Sequence, residues 1–282
     1  MITLKGADVS AKIKEQVGEM LKGCQGKTPK LAIVRVGEKP DDLSYERGAI
    51  KKLASFGMEV QSVAFPEDID DETFQDKFWD LNKDPEVTGI LVLRPLPAHI
   101  DEKAVENIID PAKDLDGISP VNIAKVFAGD ATGFAPCTAE AVVEMLRANG
   151  IPMAGKRAVI VGRSMVVGKP LAMLLMKENA TVTVCHTKTV DLPGTCRGGE
   201  ILIAAVGRPE MIDRDYVGPG AVVIDVGINV DEHGKLCGDV NFASLEGKAS
   251  MSTPVPGGVG AVTTAVLARH LAQAALSEGG FA

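Results

Sequence analysis

The chain has 282 residues, 45% of them apolar and 24% charged, with a formal net charge of −8 at pH 7. That length can hold two ordinary cores, and the negative balance argues against nucleic acid, whose phosphates ask for a basic face. No signal core opens the chain and no apolar run is long enough to cross a bilayer, so no membrane partner is expected. Five scattered cysteines (24, 137, 185, 196 and 237) without CxxC pairs read as reduced thiols of a cytoplasmic protein, and four dispersed histidines offer no metal set.

Residues 7–22 mix apolar and charged positions at helical spacing and end near Gly23. Lys30 to Val36 is a buried strand closed by Gly37, Asp41 to Phe56 a helix stopped at Gly57, and Glu59 to Ala64 a second strand. Asp71 to Asn82 is helical, and Thr88 to Leu93 is a third strand ended by Arg94-Pro95-Leu96-Pro97. A loop-rich stretch, 110–138, separates this half from the next, where 139–149 is helical. Strands follow at 157–161, 181–184, 200–204 and 221–226, with a helix at 169–178 and a final helical stripe at 263–276. Alternating strands and helices imply right-handed crossovers and parallel sheets. The expected fold is therefore α/β, with two α/β domains, the second a Rossmann-like parallel sheet, and a cleft between them.

The sharpest local signal is the apolar run 158–161 followed by Gly162-Arg163-Ser164-Met165-Val166-Val167-Gly168. A strand, a glycine turn and a helix opening at Gly168 would aim helix-start amides at a pyrophosphate, where the dipole also favours an anion. Ser164 stands where a GxGxxG pattern has its second glycine, so an ordinary strand-to-helix turn is the competing reading. After the next strand, Cys185-His186-Thr187-Lys188-Thr189 carries no acid to hold a ribose 2′-hydroxyl. With Arg163 nearby this leans toward NADP and leaves NAD open.

Near the C-terminus stands Thr253-Pro254-Val255-Pro256-Gly257-Gly258-Val259-Gly260. This segment closely resembles the signature of the methylenetetrahydrofolate dehydrogenase/methenyltetrahydrofolate cyclohydrolase family. Further matches run in order along the chain: Val34 to Gly37, Ser44-Tyr45, Gly89 to Val92, Pro95-Leu96-Pro97, Lys113 to Gly117, Gly162 to Ser164, Asp225 to Asn229 and Gly238 to Val240. The resemblance implies a folate-binding catalytic domain at 1–137, a dinucleotide-binding domain at 138–264, and a helix at 265–282 returning to the first. It also implies a homodimer, a folate substrate and NADP or NAD as cofactor. Tyr45 matches the tyrosine that stacks on the folate, and Asp116 the carboxylate that accepts the pterin N–H groups; both are the expected catalytic residues. Pro256, Gly257 and Gly258 are expected to lie against the substrate. Gly162, Arg163, Ser164, Val167, Gly168, His186, Thr187, Gly227 and Ile228 are expected at the cofactor.

Two positions depart from the bifunctional pattern, which has a lysine four residues after the tyrosine and a glutamine before the Pro-Leu-Pro turn. Here they are Ala49 and Leu93. Around a helix, Lys51 lies about 120° from Tyr45, and Lys52 regains that face only about 10 Å along the axis. Hydride removal needs alignment of donor and acceptor, whereas opening the methenyl ring needs water and proton transfer, work suited to a tuned lysine. A dehydrogenase with weak or absent cyclohydrolase activity is expected; the alternative is a bifunctional enzyme using Lys51 or Lys52.

Overall fold

The computed structural model describes residues 1–24 and 27–278. The chain opens with β1 (Ile2–Thr3) and α1 (Gly6–Lys22), then alternates through β2 (Lys30–Val36), α2 (Pro40–Ala54), β3 (Glu59–Phe65), α3 (Asp71–Lys83) and β4 (Gly89–Val92). Three helices follow, α4 (Glu102–Ile108), α5 (Pro120–Ala128) and α6 (Cys137–Ala148). The second alternation is β5 (Arg157–Val161), α7 (Gly168–Lys177), β6 (Thr181–Cys185), α8 (Leu192–Arg197), β7 (Ile201–Ala204) and β8 (Val222–Asp225). Short strands β9 (Asn229–Val230), β10 (Leu236–Cys237) and β11 (Met251–Ser252) precede the last helix, α9 (Gly260–Glu278). Residues 279–282 of the expected C-terminal segment lie outside the described residues.

Two compact units result. One holds the parallel sheet β3-β2-β4 within Lys12–Ala135 and takes in the chain from Thr264. Its core sets Ala32, Val34, Ile90 and Val92 of the strands against Phe74 and Phe78 of α3. The other comprises Met1–Ala11 and Pro136–Thr263 and holds a six-stranded parallel sheet, β1-β11-β8-β7-β5-β6. Strands β5, β7 and β8 are buried on both faces, which is why they read as unbroken apolar runs.

Two stretches form structure that the sequence pattern did not announce. Residues 1–11 pack with the six-stranded unit: Ile2 and Thr3 pair with Met251 and Ser252, and the Gly6 amide donates to the Gly257 carbonyl at 2.8 Å. An added Cβ at Gly6 would stand 2.1 Å from the Gly258 carbonyl oxygen, so that approach is reserved for glycine. The loop-rich stretch at 110–138 also holds a helix, α5. Ser119 caps that helix by accepting from the Asn122 amide, Pro120 occupies its first turn, and Gly129 closes it in the left-handed conformation (φ 74°).

Candidate active site

In the six-stranded unit, parallel strands bring the expected cofactor residues to one edge of the sheet, because each group follows the C-terminal end of a strand. After β5, Gly162 adopts φ 128°, and a Cβ there would meet the Ala205 carbonyl oxygen at 2.1 Å. A Cβ on Gly168, the first residue of α7, would meet the Gly162 carbonyl oxygen at 2.1 Å. Both glycines are thus demanded by backbone packing, and Arg163 and Ser164 are left exposed just before the helix start. Ser164 tightens the turn: its Oγ accepts from the Val167 amide at 3.1 Å, and its carbonyl from the Lys169 amide at 3.0 Å. The Gly162 amide donates to the Cys185 carbonyl (3.0 Å), tying this turn to the end of β6. There Thr187 is exposed and His186 half-buried, its Nδ1 accepting from the Lys188 amide at 3.0 Å. In the neutral ring the proton therefore sits on Nε2.

Gly227 and Ile228, after β8, meet Pro256, Gly257 and Gly258, after β11, in one shallow depression of about 200 Å³ that Leu236 also lines. The walls are largely backbone and apolar side chains, a surface suited to a flat ring. Two buried acids that the sequence reading missed hold these loops. Asp225 accepts from the amides of Gly227, Asp239 and Val240, each at 3.0 Å. Asp239 accepts from the amides of Val206 (2.6 Å), Gly207 (3.1 Å) and Arg208 (2.9 Å), and from Asn229 Nδ2 (2.9 Å). The Asp225 amide in turn donates to Thr253 Oγ1 at 2.7 Å. Gly227 is consequently a packing glycine, since a Cβ there would lie 2.3 Å from the Asp239 carboxyl carbon. Burial and the neighbouring Asp239 push the Asp225 carboxyl up to about 6, against the opposing pull of its three N–H donors.

In the three-stranded unit, Tyr45 is exposed on α2, while Glu46, Ala49 and Leu53 form that helix's buried stripe. Arg35 of β2 binds Glu46 through Nε at 2.9 Å and the Gly37 carbonyl through a terminal nitrogen at 2.6 Å. Ser62 of β3 donates to the other Glu46 oxygen. The helix carrying Tyr45 is thereby keyed through Glu46 to two strands, to β2 by an ion pair and to β3 by a hydroxyl hydrogen bond. Asp116 sits half-buried in a loop whose neighbours are all committed. Lys113 Nζ donates to the Asp84 carbonyl (2.7 Å), and Asp114 accepts from the amides of Ile118 and Ser119 and from Asn122 Nδ2.

Comparison with known proteins decides the family. Residues 4–116 match the catalytic domain of tetrahydrofolate dehydrogenase/cyclohydrolase, and residues 136–278 match its NAD(P)-binding domain. The chain belongs to the tetrahydrofolate dehydrogenase/cyclohydrolase family. A relative from Clostridium kluyveri named bifunctional protein FolD is 50% identical over 275 residues, covering 97% of both chains. Among solved structures, the bifunctional FolD methylenetetrahydrofolate dehydrogenase/cyclohydrolase of Campylobacter jejuni superposes with a TM-score of 0.95 at 38% identity, over 99% of each chain. The Trypanosoma brucei enzyme, solved with NADP and an inhibitor, gives 0.92 at 34% identity over 100% of this chain and 99% of that one.

This family member is therefore an enzyme with a nicotinamide dinucleotide as cofactor. On α2 and just after β4, Ala49 is 1% exposed and Leu93 9% exposed. Arg94, next to Leu93, is drawn to Glu102 (3.3 Å) and Glu106 (3.1 Å) of α4. Of the two nearby lysines, Lys51 is exposed, while Lys52 lies with its ammonium 5.7 Å from the centre of the Phe56 ring. Partial burial, and then repulsion from Lys14 at the same ring, lower the Lys52 pKa. Among the described residues no cluster of three or more metal-binding side chains occurs, and no helix is long and apolar enough to cross a membrane.

Proposed function

We propose that this enzyme oxidises 5,10-methylenetetrahydrofolate with NADP⁺ or NAD⁺ to 5,10-methenyltetrahydrofolate and hydrolyses that product weakly or not at all. The observation that carries the second half is Ala49, a buried methyl where the bifunctional pattern has an amine, with Leu93 in place of the amine's glutamine partner. Hydride departure leaves a cation shared by two folate nitrogens, so the step rests on alignment more than on proton transfer.

In this reading Tyr45 stacks on the folate, and Asp116 accepts from the paired N–H groups of the pterin, a role the two oxygens of a carboxylate fit. Pro256, Gly257 and Gly258 offer backbone to the substrate. Gly162, Arg163, Ser164, Val167 and Gly168 take the pyrophosphate at the start of α7, His186 and Thr187 flank the adenosine ribose, and Gly227 and Ile228 border the nicotinamide. The bound cofactor supplies the hydride acceptor; the protein's part is to hold and orient. The enzyme works as a homodimer.

The second reading is a bifunctional enzyme with Lys52 as the amine. Its lowered pKa favours it, as does the name of the Clostridium kluyveri relative. An assay with methylenetetrahydrofolate, run separately with each cofactor, distinguishes the two. Methenyl product that accumulates and decays at the buffer rate supports a single activity. Rapid decay abolished by Lys52→Ala establishes the second reading.

A further inference from the structure

We infer that His270 is a positioning residue for the folate site, acting through the peptide that carries Asp116; the inference rests on the Asp116 reading above. His270 lies on α9 at 2% exposure, and its Nδ1 is 2.8 Å from the Leu115 carbonyl oxygen. A carbonyl only accepts, so Nδ1 carries the proton and donates. The Leu115 carbonyl shares one rigid peptide plane with the Asp116 amide. Holding that oxygen sets the orientation of the plane from which the Asp116 side chain departs.

The surroundings make the hold specific. The His270 ring packs on the Phe134 ring at 5.1 Å. The Phe134 amide donates to Asn122 Oδ1 at 3.2 Å, and Asn122 Nδ2 donates to Asp114 Oδ2 at 2.9 Å. A circuit thus runs from Asp114 through Asn122, Phe134 and His270 back to Leu115, the residue beside Asp114. On the far side of Asp116, Gly117 takes φ 61° and the Ile118 amide donates to Asp114 at 2.9 Å. The loop that carries Asp116 is therefore braced on both flanks. Nothing in the local sequence marks this, since His270 lies 155 positions from Leu115.

The test compares His270→Leu, His270→Asn, His270→Gln and Asp116→Asn in the full-length enzyme, reading KM for each substrate, kcat and thermal midpoint. Asparagine places an amide N–H where imidazole has Nδ1, whereas glutamine reaches only the Nε2 position. His270→Leu and His270→Gln are expected to raise KM for methylenetetrahydrofolate about fivefold or more while KM for the dinucleotide stays within about twofold, and His270→Asn to restore the folate KM. A role in stability alone would lower the thermal midpoint and leave both KM values unchanged, which overturns the inference. So does an asparagine variant as impaired for folate as the leucine variant. If Asp116→Asn leaves the folate KM unchanged, the Asp116 reading itself fails; if it raises KM and His270→Leu does not, only the positioning role of His270 fails.

Discussion

The backbone amide of Asp239 donates to the carboxylate of Asp225 at 3.0 Å, so one buried acid is held by the main chain of another. With the Asp225 pKa raised to about 6 by burial and by Asp239, the folded protein keeps a proton that the unfolded chain, with an ordinary aspartate, releases. Between about pH 4 and pH 6 the native state binds more protons, so this group's contribution to stability grows as pH falls through 6 and is lost as pH rises. Urea unfolding of the wild type and of Asp225→Asn should show the wild type gaining about 1 kcal/mol on the variant between about pH 7.5 and pH 5. A difference that stays flat across that range would refute the raised pKa.

Glycines separate into those the backbone requires and those it does not. Gly162→Ala puts a methyl 2.1 Å from the Ala205 carbonyl oxygen at φ 128°, with an expected loss of about 2–4 kcal/mol and of dinucleotide affinity. Gly18, inside α1, has nothing within 4 Å of where a methyl would stand, so Gly18→Ala should stabilise by about 0.5–1 kcal/mol. Thermal melts and a dinucleotide titration of both variants check the contrast.

Legibility followed the range of the interactions. Buried parallel strands such as Leu31 to Val36 and Ala158 to Val161 declare themselves as apolar runs closed by glycine, and both alternations could be read directly except for the six-residue helix α8, which was missed. The two residues of β1 become a strand only by pairing with β11, about 250 positions away, and no local pattern marks that. Helix α5 carried its signals, Ser119-Pro120 and Gly129, yet these are also turn residues, and nine residues span too few turns for a helical period to stand out. Tyr45 and Asp116 are proposed for the site through resemblance alone. Asp225, Asp239 and His270 owe their roles to hydrogen bonds that form only in the fold.

The pair Arg35–Glu46 is nearly buried, at 13% and 7% side-chain exposure, and holds the helix bearing Tyr45. Arg35→Met would strand the Glu46 carboxylate and cost about 3–5 kcal/mol, whereas Arg35→Met with Glu46→Leu should recover most of the loss, because the desolvation penalty leaves with the second charge. A double-mutant cycle by denaturant unfolding measures the recovery. If the double variant is as unstable as the sum of the single variants, the pair is not coupled. Folate KM in the stable double variant then reports whether the ion pair, beyond holding the helix, also orients Tyr45.

Installing a lysine at position 49 and a glutamine at position 93 is the strongest trial of the single-activity reading. Ala49→Lys alone places an ammonium at a position now 1% exposed, and desolvation without a partner should destabilise the protein by several kcal/mol, on the order of an unpaired buried charge. Adding Leu93→Gln supplies a side-chain carbonyl to accept from that ammonium, so the double variant should recover stability relative to Ala49→Lys. Its hydrolysis of methenyltetrahydrofolate should rise about tenfold or more above wild type, the low end of what a positioned proton-transfer group contributes. Dehydrogenation asks for no such group, so NAD(P)H formation should change far less than hydrolysis does. A wild-type enzyme that already hydrolyses the methenyl compound as fast as it forms it would mean that the ring opens here without an amine at position 49, and the buried methyl would then carry no information about the reaction.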